Sequence, residues 1–502
     1  MGIIQKQSIQ STIITMVGFA IGAFNMIIFA PKVLTAEELG LTRIITDAGL
    51  TLATMCTLGC IPIINKFFPF YKSYLKPLQN DLPFLSLVVC LTGFIVMCIA
   101  GYAARDIIVL KFSERSPLFV QYSYLVYPFA FFMLLFIWLE SFSWSLRKSV
   151  VSNTLKETVP RLIFTLLLLC TILKVLDLDD FIVSFSFIYI IPVLCLFIYL
   201  WRTGEFRFAA RLSSVTVRLK GRMINFAFFV FGAQVLNLIS RTIDTFILSA
   251  KSSRGLSDAA VFTIATYVVA VMEVPQRSIT SITVPILAES WKNKDLNNIS
   301  NIYSKSVTTL LTTGLFIFGL IWLNIHHLGA YLGRDFTGIE AIVLFMGVGK
   351  LIDLGTGANA QIIQTSNFWK VDFTTNVVYT VVALPLNYIL ISRYGLMGAA
   401  YSSLIAITFY NVLRFGFLWF KFKLQPYSTK SLVALMIGVA CTFLVYLVPQ
   451  HPNLMVDLLI RSFSFCTLFL AATYLARVSE EINALLTNIF LRLRGNSSTK
   501  KS

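Results

Sequence analysis

The sequence predicts an all-α polytopic membrane protein with about fourteen transmembrane helices. Hydrophobic residues make up 57% of its 502 residues, charged residues only 13%, and the mean hydropathy is +0.78. A soluble domain carries roughly 25% charged residues, so this chain has too little polar surface to cover a water-soluble globule of its size. Its apolar runs are long and lack period-two alternation, which favours helices over the strands of a membrane barrel.

Each predicted span is an apolar run close to the ~20 residues that a helix needs to cross a ~30 Å hydrocarbon core. The fifth and sixth spans are divided at the acidic segment 177–180. No connecting loop is long enough to fold as a sizeable soluble domain. In chain order the predicted spans are 9–31, 44–67, 83–103, 119–140, 161–176, 181–201, 223–249, 260–287, 306–324, 339–362, 371–392, 397–420, 431–449 and 456–476.

Lysine and arginine are distributed unequally between the two sides of these spans. With the N-terminus inside, 25 of the 41 basic residues fall on the inner side and 10 on the outer side. This asymmetry follows the positive-inside rule and predicts that both termini are cytoplasmic. It also accounts for the net charge of +17 without a nucleic-acid partner, because basic loops meet anionic headgroups. Arg414 and Arg461, inside spans, are expected to extend toward the membrane surface.

The sequence shows no motif of an enzyme or of a metal site. It lacks a Walker loop, a G-x-G-x-x-G before a strand, an H-E-x-x-H and a G-x-S-x-G. The eight cysteines lie in apolar stretches and are interpreted as packing residues. The histidines His326, His327 and His451 are interpreted as interfacial or loop residues. We therefore expect a protein that is not an enzyme and uses no cofactor.

The most basic loop, 202–222, separates two halves of the chain. Residues 19–23 resemble residues 229–233, and Ile61-Pro62-Ile63 resembles Val284-Pro285-Ile286. Matches in the same order indicate two six-helix units related as a parallel repeat. The predicted domains are a first six-helix bundle at 1–205, a second at 206–425, two additional helices at 426–480 and a basic cytoplasmic tail at 481–502.

Three pairs of ionisable residues lie inside predicted spans of the second half. Each charged group costs ~2.5–3.5 kcal/mol at a helix centre on insertion scales. Spacings of three and four put both partners on one helical face, so the pairs are expected to face a wet interior or each other. A purely structural role as intrahelical ion pairs is the alternative. The pairs are Arg241 with Asp244, Glu273 with Arg277, and Lys350 with Asp353.

The first half offers fewer such residues. Arg43 and Asp47 are four apart at the outer end of the second span, and Asn25 is a lone polar residue in the first. An ordinary interhelical hydrogen bond is the alternative role for Asn25. Because arginine binds two phosphate oxygens at once, a cavity with these cations suits an anionic substrate. The predicted cavity residues are Arg241, Arg277, Lys350, Arg43 and Asn25, with Asp244, Glu273, Asp353 and Asp47 as coupling or charge-pairing carboxylates.

Three segments carry a family resemblance. Residues 34–41, 240–248 and 386–400 are similar to the first external loop, the seventh span and the passage from span eleven to span twelve of one family. That family comprises the polysaccharide flippases, of the O-antigen and capsule type, in the multidrug/oligosaccharidyl-lipid/polysaccharide exporter superfamily. The resemblance covers nearly the whole chain.

This resemblance implies both a fold and a function. It implies two six-helix bundles facing each other in a V, with two further helices and alternating access. Such proteins move polyprenyl-diphosphate-linked oligosaccharide from the inner to the outer leaflet of the bacterial cytoplasmic membrane, for surface polysaccharide. The implied partners are that lipid-linked oligosaccharide, membrane lipids, a polysaccharide polymerase and glycosyltransferases. By matching position, Arg241, Arg277 and Lys350 would meet the diphosphate or acidic sugars. The little basic charge in the central spans of the first bundle departs from this pattern.

Other functions remain open from the sequence. A drug/cation antiporter of the same superfamily usually carries a carboxylate in its first span, and none is present here. A lipid II flippase fits the same pattern of spans. A membrane scaffold has no need for charged residues inside its spans.

Overall fold

The computed structural model describes residues 3–146 and 148–479, together with residues 483, 484 and 487. Within this part of the chain, side chains are described except for residues 3–12, 229, 233, 237, 241, 278, 281 and 369. Every regular element of the described residues is a helix. The predicted all-α fold class is therefore confirmed.

The chain divides into two compact units, Met1–Ile264 and Ala265–Ser502, called unit 1 and unit 2 below. Helix α13 packs against α3 and α4 inside unit 1. The domain boundaries drawn from the sequence at 205, 425 and 480 stay a prediction.

Unit 1 begins with a first span that contains one turn of π-helix at Asn25–Phe29. Its helices are α1 Ile3–Phe24, α2 Ala30–Val33, α3 Ala36–Cys56, α4 Cys60–Tyr74, α5 Leu82–Ala103, α6 Arg105–Phe112, α7 Pro117–Tyr122, α8 Val126–Ser145, α9 Ser149–Glu157, α10 Val159–Ile172, α11 Leu178–Ser186, α12 Ile190–Arg202 and α13 Ser214–Lys251.

Helix α14, Leu256–Ala270, crosses the division between the units. The helices of unit 2 are α15 Glu273–Lys292, α16 Leu296–Leu332, α17 Ile339–Gly355, α18 Asn359–Thr365, α19 Trp369–Phe422, α20 Thr429–Tyr446 and α21 Leu454–Leu475.

Nine helical segments of the described residues are long and apolar enough to cross a membrane, or 12 if each bent helix pair is one span. The predicted count of about fourteen is therefore not confirmed. Two features account for the difference. The predicted fifth span contains α10, which has only 14 residues. The predicted eleventh and twelfth spans are counted together because α19 comprises two helices that meet at Gly395, with φ 54° and ψ −130°, and that run antiparallel, as the contacts Asp372–Arg414 and Asn376–Tyr410 show.

Side-chain caps explain where several helices begin. Thr35 accepts a hydrogen bond from the Glu38 N–H at 3.3 Å, and Glu38 Oε2 accepts one from the Thr35 N–H at 2.8 Å. This reciprocal capping box satisfies two N–H groups at the start of α3 that have no helical acceptor. Asp177 accepts from the Asp180 N–H at 2.9 Å and starts α11. The predicted division between the fifth and sixth spans therefore falls at a helix N-cap.

Three apolar spans are bent at short breaks. The bends are 49° between α3 and α4, 52° between α14 and α15, and 47° between α17 and α18. Broken helices inside a membrane leave backbone groups that must be satisfied by neighbouring protein or by water. Such breaks line substrate cavities in many transporters. The charged residues predicted for unit 2 lie beside two of these breaks.

Helix α9 lies directly before α10, the helix of the predicted fifth span. Helix α9 packs along α1. A Cβ built on Gly18 would lie 2.6 Å from the carbonyl oxygen of Glu157, and Gly18 is inside the candidate span Ile13–Val33. Arg161, which the sequence analysis counted on the inner side, therefore lies beside the candidate span Ile13–Val33. Without Arg161, the basic residues on the inner side still outnumber those on the outer side.

Aromatic and aliphatic side chains form the core of each unit. In unit 1, Trp138, Phe142 and Phe206 pack with ring centroids 5.2–5.6 Å apart. In unit 2, Phe465 and Phe469 of α21 are buried in one cluster with residues of α16 and α20. This cluster attaches the two C-terminal helices to the remainder of unit 2.

Candidate functional site

The polar centre of unit 2 is the ammonium group of Lys350. Its Nζ lies 2.8 Å from Asp353 Oδ2, 2.9 Å from Gln276 Oε1 and 3.3 Å from Glu273 Oε1. Only 11% of the Lys350 side chain is exposed. The predicted spacing pair Lys350–Asp353 is therefore formed, and it joins a second predicted pair through Glu273.

Asn411 of α19 holds the acidic side of this cluster. Its Nδ2 donates to Asp353 Oδ1 at 3.1 Å, and its Oδ1 accepts from Thr356 Oγ1 at 2.7 Å and from Asn359 Nδ2 at 3.0 Å. Thr356 and Asn359 flank the break between α17 and α18. One buried amide thus braces the broken helix and fixes the carboxylate that binds Lys350.

Arg277 lies one turn beyond Glu273 on α15. Its Nη2 donates to Glu273 Oε2 at 3.1 Å, as the spacing of four predicts. The Arg277 side chain is 59% exposed. Both residues lie near the middle of the bent candidate span Leu256–Lys292. A guanidinium at that depth is costly in lipid, so an aqueous surface is the favourable environment for it.

In unit 1, Arg43 and Asp47 form their predicted pair on α3. Arg43 Nε lies 2.8 Å from Asp47 Oδ2, which also accepts a hydrogen bond from Thr245 Oγ1 of α13 at 2.6 Å. Asp47 is buried, whereas 28% of the Arg43 side chain is exposed. Asp47 therefore connects two helices in addition to binding its arginine.

The third predicted pair lies on α13. Asp244 is half-buried on this helix. The Arg241 side chain lies outside the described residues, so contact between Arg241 and Asp244 stays a prediction.

Asn25 lies buried in the first turn of the π-helix. Its Nδ2 donates to the Arg161 carbonyl oxygen at 2.8 Å, and its Oδ1 accepts from Thr165 Oγ1 at 3.0 Å. This is the interhelical hydrogen bond that the sequence analysis weighed as the alternative. A direct contact between Asn25 and a substrate stays a prediction, and this structure does not present the side chain for one.

Two arginines expected at the membrane surface are buried instead. Arg414 Nη2 lies 2.5 Å from Asp372 Oδ1, and its guanidinium lies 3.8 Å from the centre of the Tyr410 ring. Arg461 Nε lies 2.6 Å from Asp457 Oδ2. The expectation that they extend to the surface was wrong, because both have carboxylate partners inside the protein. For Arg461, the spacing of four from Asp457 was the signal in the sequence.

His327 belongs to the Asp457–Arg461 cluster. Its Nε2 lies 2.8 Å from Asp457 Oδ2, and Asp457 Oδ1 accepts from the His451 N–H at 2.8 Å. The Asp457 side chain is 1% exposed. This cluster links α16, α21 and the loop before α21. The sequence analysis missed it because nothing in the spacing relates position 327 to position 457.

A cavity of about 760 Å³ lies within unit 2 between α16, α17 and α20. Most of its lining is apolar, and Phe318, Trp322, Leu351 and Phe443 are examples. Thr356 also lines it, and the same side chain donates to Asn411 in the polar cluster. An apolar cavity and a charged cluster therefore adjoin in unit 2.

The fold and these clusters define a multi-pass membrane protein whose spans hold charged residues in their middle. No protein-family model matches the sequence. No curated protein matches it.

Solved structures of membrane transporters share the fold. The lipid II flippase MurJ in an inward closed conformation is similar with a TM-score of 0.69 at 15% identity, over 93% of this chain and 98% of that chain. An inward-facing multidrug resistance MATE family transporter of the MOP superfamily is similar with a TM-score of 0.61 at 14% identity, over 82% of this chain and 98% of that chain. A MOP superfamily transporter from Pyrococcus furiosus has a TM-score of 0.53 at 12% identity, over 84% of this chain and 95% of that chain.

At such low identity these likenesses establish the fold. The chain has a MurJ- and MATE-like fold, and the neighbours are transporters rather than enzymes. The particular polysaccharide flippase family to which the sequence analysis pointed is not confirmed.

Proposed function

We propose that this protein flips a polyprenyl-diphosphate-linked oligosaccharide from the inner to the outer leaflet by alternating access. The observation that carries this proposal is that an apolar cavity lies beside a charged cluster within unit 2. Thr356 lines the cavity and donates a hydrogen bond to Asn411 of the cluster. A lipid-linked saccharide needs apolar contacts for its chain and cationic contacts for its diphosphate. The likeness to a lipid II flippase supports the same class of substrate.

Within this site, Arg277 is the residue that we assign to the diphosphate. Its guanidinium is 59% exposed, whereas Lys350 is enclosed by three oxygen acceptors. A guanidinium holds phosphate with two charge-assisted hydrogen bonds, each worth ~1.5–3 kcal/mol. Lys350 neutralises Asp353 and part of the charge of Glu273, which leaves Arg277 free to exchange Glu273 for a phosphate.

The broken helices support a mechanism with alternating access. Breaks beside a central polar cluster allow helix segments to move while the cluster keeps its hydrogen bonds. Asn411 bonds to residues on both sides of the break between α17 and α18, so movement there would be transmitted to Asp353. Substrate exchange at Arg277 and bending at this break are therefore coupled in our proposal.

The remaining parts of the assignment follow from the same function. We place the protein in the bacterial cytoplasmic membrane with both termini cytoplasmic, because the basic residues lie mainly on one side of the spans. Surface polysaccharide assembly is the proposed pathway, with a polymerase and glycosyltransferases as partners.

The test is complementation of a strain that lacks this protein, with surface glycan normalised to the membrane level of each variant. Arg277→Ala should abolish the glycan. Arg277→Lys should restore part of it, because lysine keeps the charge but cannot bind two oxygens in a fork. Full restoration by Arg277→Ala would contradict the assignment of this residue and favour a structural ion pair.

The matched control is Arg334→Gln, which removes an exposed cation of unit 2 from the short turn Arg334–Phe336. It should restore the glycan to the level of the unchanged protein. If the unchanged protein restored the export of a drug but not the surface glycan, the function of a drug/cation antiporter would be favoured.

A further inference from the structure

Unit 1 contains a cation at the depth of the middle of its first span, where the sequence analysis expected little basic charge. Arg161 lies in the first turn of α10, directly after Pro160. Its Nη1 is 2.7 Å from Glu157 Oε2, and each of the two side chains is 26% exposed. The pair is therefore accessible although it lies beside the candidate span Ile13–Val33.

Two glycines of α1 create the space that the Arg161 side chain occupies. A Cβ on Gly22 would lie 2.7 Å from Arg161 Nε, and a Cβ on Gly18 would lie 2.8 Å from Arg161 Nη1. These glycines lie in the inner half and near the middle of the candidate span Ile13–Val33. Helix α1 therefore sets the depth of the guanidinium, and a larger residue at position 22 would displace it.

Asn25 fixes the backbone of the same residue. It donates to the Arg161 carbonyl oxygen at 2.8 Å from the π-helical turn that ends the glycine-bearing helix. Turns of π-helix inside α-helices occur frequently at functional sites. With only 1% of its surface exposed, Asn25 acts here as a positioning residue for Arg161.

The charges around this arginine leave Glu157 as the acceptor to be exchanged. Lys156 Nζ lies 3.0 Å from Glu140 Oε2, and Glu140 is 6% exposed, so this neighbouring carboxylate already has its cation. Glu157 is the carboxylate that the Arg161 guanidinium contacts, and Arg161 also donates to the Glu157 carbonyl oxygen. When an anion displaces the Glu157 side chain, the hydrogen bond from Arg161 to the Glu157 carbonyl oxygen would still hold the guanidinium in place.

We propose that Arg161 is a phosphate-binding residue of unit 1, with Glu157 holding its guanidinium when no phosphate is bound. The inference rests on the proposed function, since it names a residue that would bind the diphosphate of that substrate. A phosphate offers the guanidinium two oxygens in fork geometry and more negative charge than one carboxylate. The accessible side of Arg161 allows this exchange without a change in the backbone of α10.

The test measures binding of farnesyl diphosphate, as a short-chain probe, to the purified full-length protein in detergent, with farnesol as the uncharged comparison. Arg161→Gln should weaken the binding of farnesyl diphosphate by about tenfold or more, as expected for the loss of a charge-assisted hydrogen bond. Binding of farnesol should not change. Arg161→Lys should give an intermediate affinity.

Two further variants report on the exchange itself. Glu157→Gln removes the competing carboxylate and should tighten the binding of farnesyl diphosphate by about two- to fivefold, the range for a partly exposed ion pair. Gly22→Ala keeps the arginine but pushes its guanidinium out of place, and should weaken binding. A purely structural role for the pair predicts no gain from Glu157→Gln.

The matched control is Lys174→Asn, which removes an exposed cation in the turn after α10. Lys174 has φ 56°, a conformation that asparagine tolerates. This variant should bind farnesyl diphosphate as the unchanged protein does.

The outcomes separate this inference from the proposed function. If Arg161→Gln and Glu157→Gln both bind farnesyl diphosphate as the unchanged protein does while Arg277→Ala binds it weakly, the inference is overturned and the proposed function stands. If Arg161→Gln weakens only the binding of phosphatidylglycerol, the residue serves membrane phospholipid and the inference is also overturned. If the unchanged protein binds no farnesyl diphosphate, both fail. If Arg161→Gln does not fold, the gain from Glu157→Gln and the loss from Gly22→Ala decide.

Discussion

Replacing Lys350 by methionine should destabilise the protein more than replacing Lys350 and Asp353 together. Lys350 is 11% exposed and contacts Asp353 at 2.8 Å and Glu273 at 3.3 Å. Methionine has a similar length but leaves the Asp353 carboxylate, which is only 17% exposed, without its cation. Removing one partner of a buried ion pair costs ~3–5 kcal/mol. Because Glu273 is 36% exposed and retains Arg277, it should add little to this loss.

The double variant Lys350→Met/Asp353→Asn leaves no unpaired charge at this position. The asparagine oxygen can accept from Asn411 Nδ2 as Asp353 Oδ1 does, and its NH2 can donate to Gln276 once the Gln276 amide, no longer bound to Lys350, turns its oxygen toward it. We therefore expect the double variant to be about 2 kcal/mol more stable than Lys350→Met alone, close to the coupling energies measured for residues in one network.

Steric-trap unfolding in bicelles measures these free energies directly, and the cycle is completed by Asp353→Asn alone. The unchanged protein and Arg334→Gln provide the reference and the control for loss of a positive charge at an exposed site. Additive losses, with a coupling energy near zero, would refute the view that Lys350 and Asp353 form one buried unit.

Three further predictions concern residues outside the proposed substrate contacts. Asp457→Asn leaves Arg461 buried without its carboxylate and should lower the free energy of unfolding by ~3–5 kcal/mol. The double variant Asp457→Asn/Arg461→Met should lose less stability than Asp457→Asn alone. Equal stability of the single and the double variant would contradict this prediction. Arg414→Gln should lower the melting temperature because it leaves Asp372 without its cation. An unchanged melting temperature would mean that the ion pair at 2.5 Å contributes nothing to stability. Gly395→Ala forces a side chain into a conformation with φ 54° and ψ −130° and should cost ~1–3 kcal/mol by the same unfolding assay, whereas a gain in stability would contradict the interruption of α19.

The helical spans could be predicted because lipid imposes strong rules on the sequence. An apolar run long enough to cross the membrane identifies a helix without knowledge of tertiary contacts. The fifth span shows where these rules stop. Helix α9 carries Lys156 and Glu157, so hydropathy assigns it to a loop, although the Glu157 carbonyl oxygen lies against Gly18 of the candidate span Ile13–Val33.

The candidate site was predictable only within single helices. Spacings of three and four identified Lys350–Asp353 and Glu273–Arg277, because these pairs depend on helix geometry alone. The contact of Lys350 with Glu273 joins two helices and has no signal in one sequence. The same limit hid Arg414–Asp372 and the contact of His327 with Asp457.

The central claim is that this protein moves a lipid-linked diphosphate saccharide across the membrane, and a transport assay tests it directly. The purified full-length protein is reconstituted in liposomes that contain a fluorescent polyprenyl-diphosphate-linked disaccharide, and quenching from outside reports which leaflet the label occupies. We predict that the unchanged protein exchanges the label between leaflets, that Arg277→Ala does not, and that a phosphatidylethanolamine with the same label stays in its leaflet. If the unchanged protein leaves the saccharide lipid in place, or moves the phospholipid equally fast, the account is contradicted.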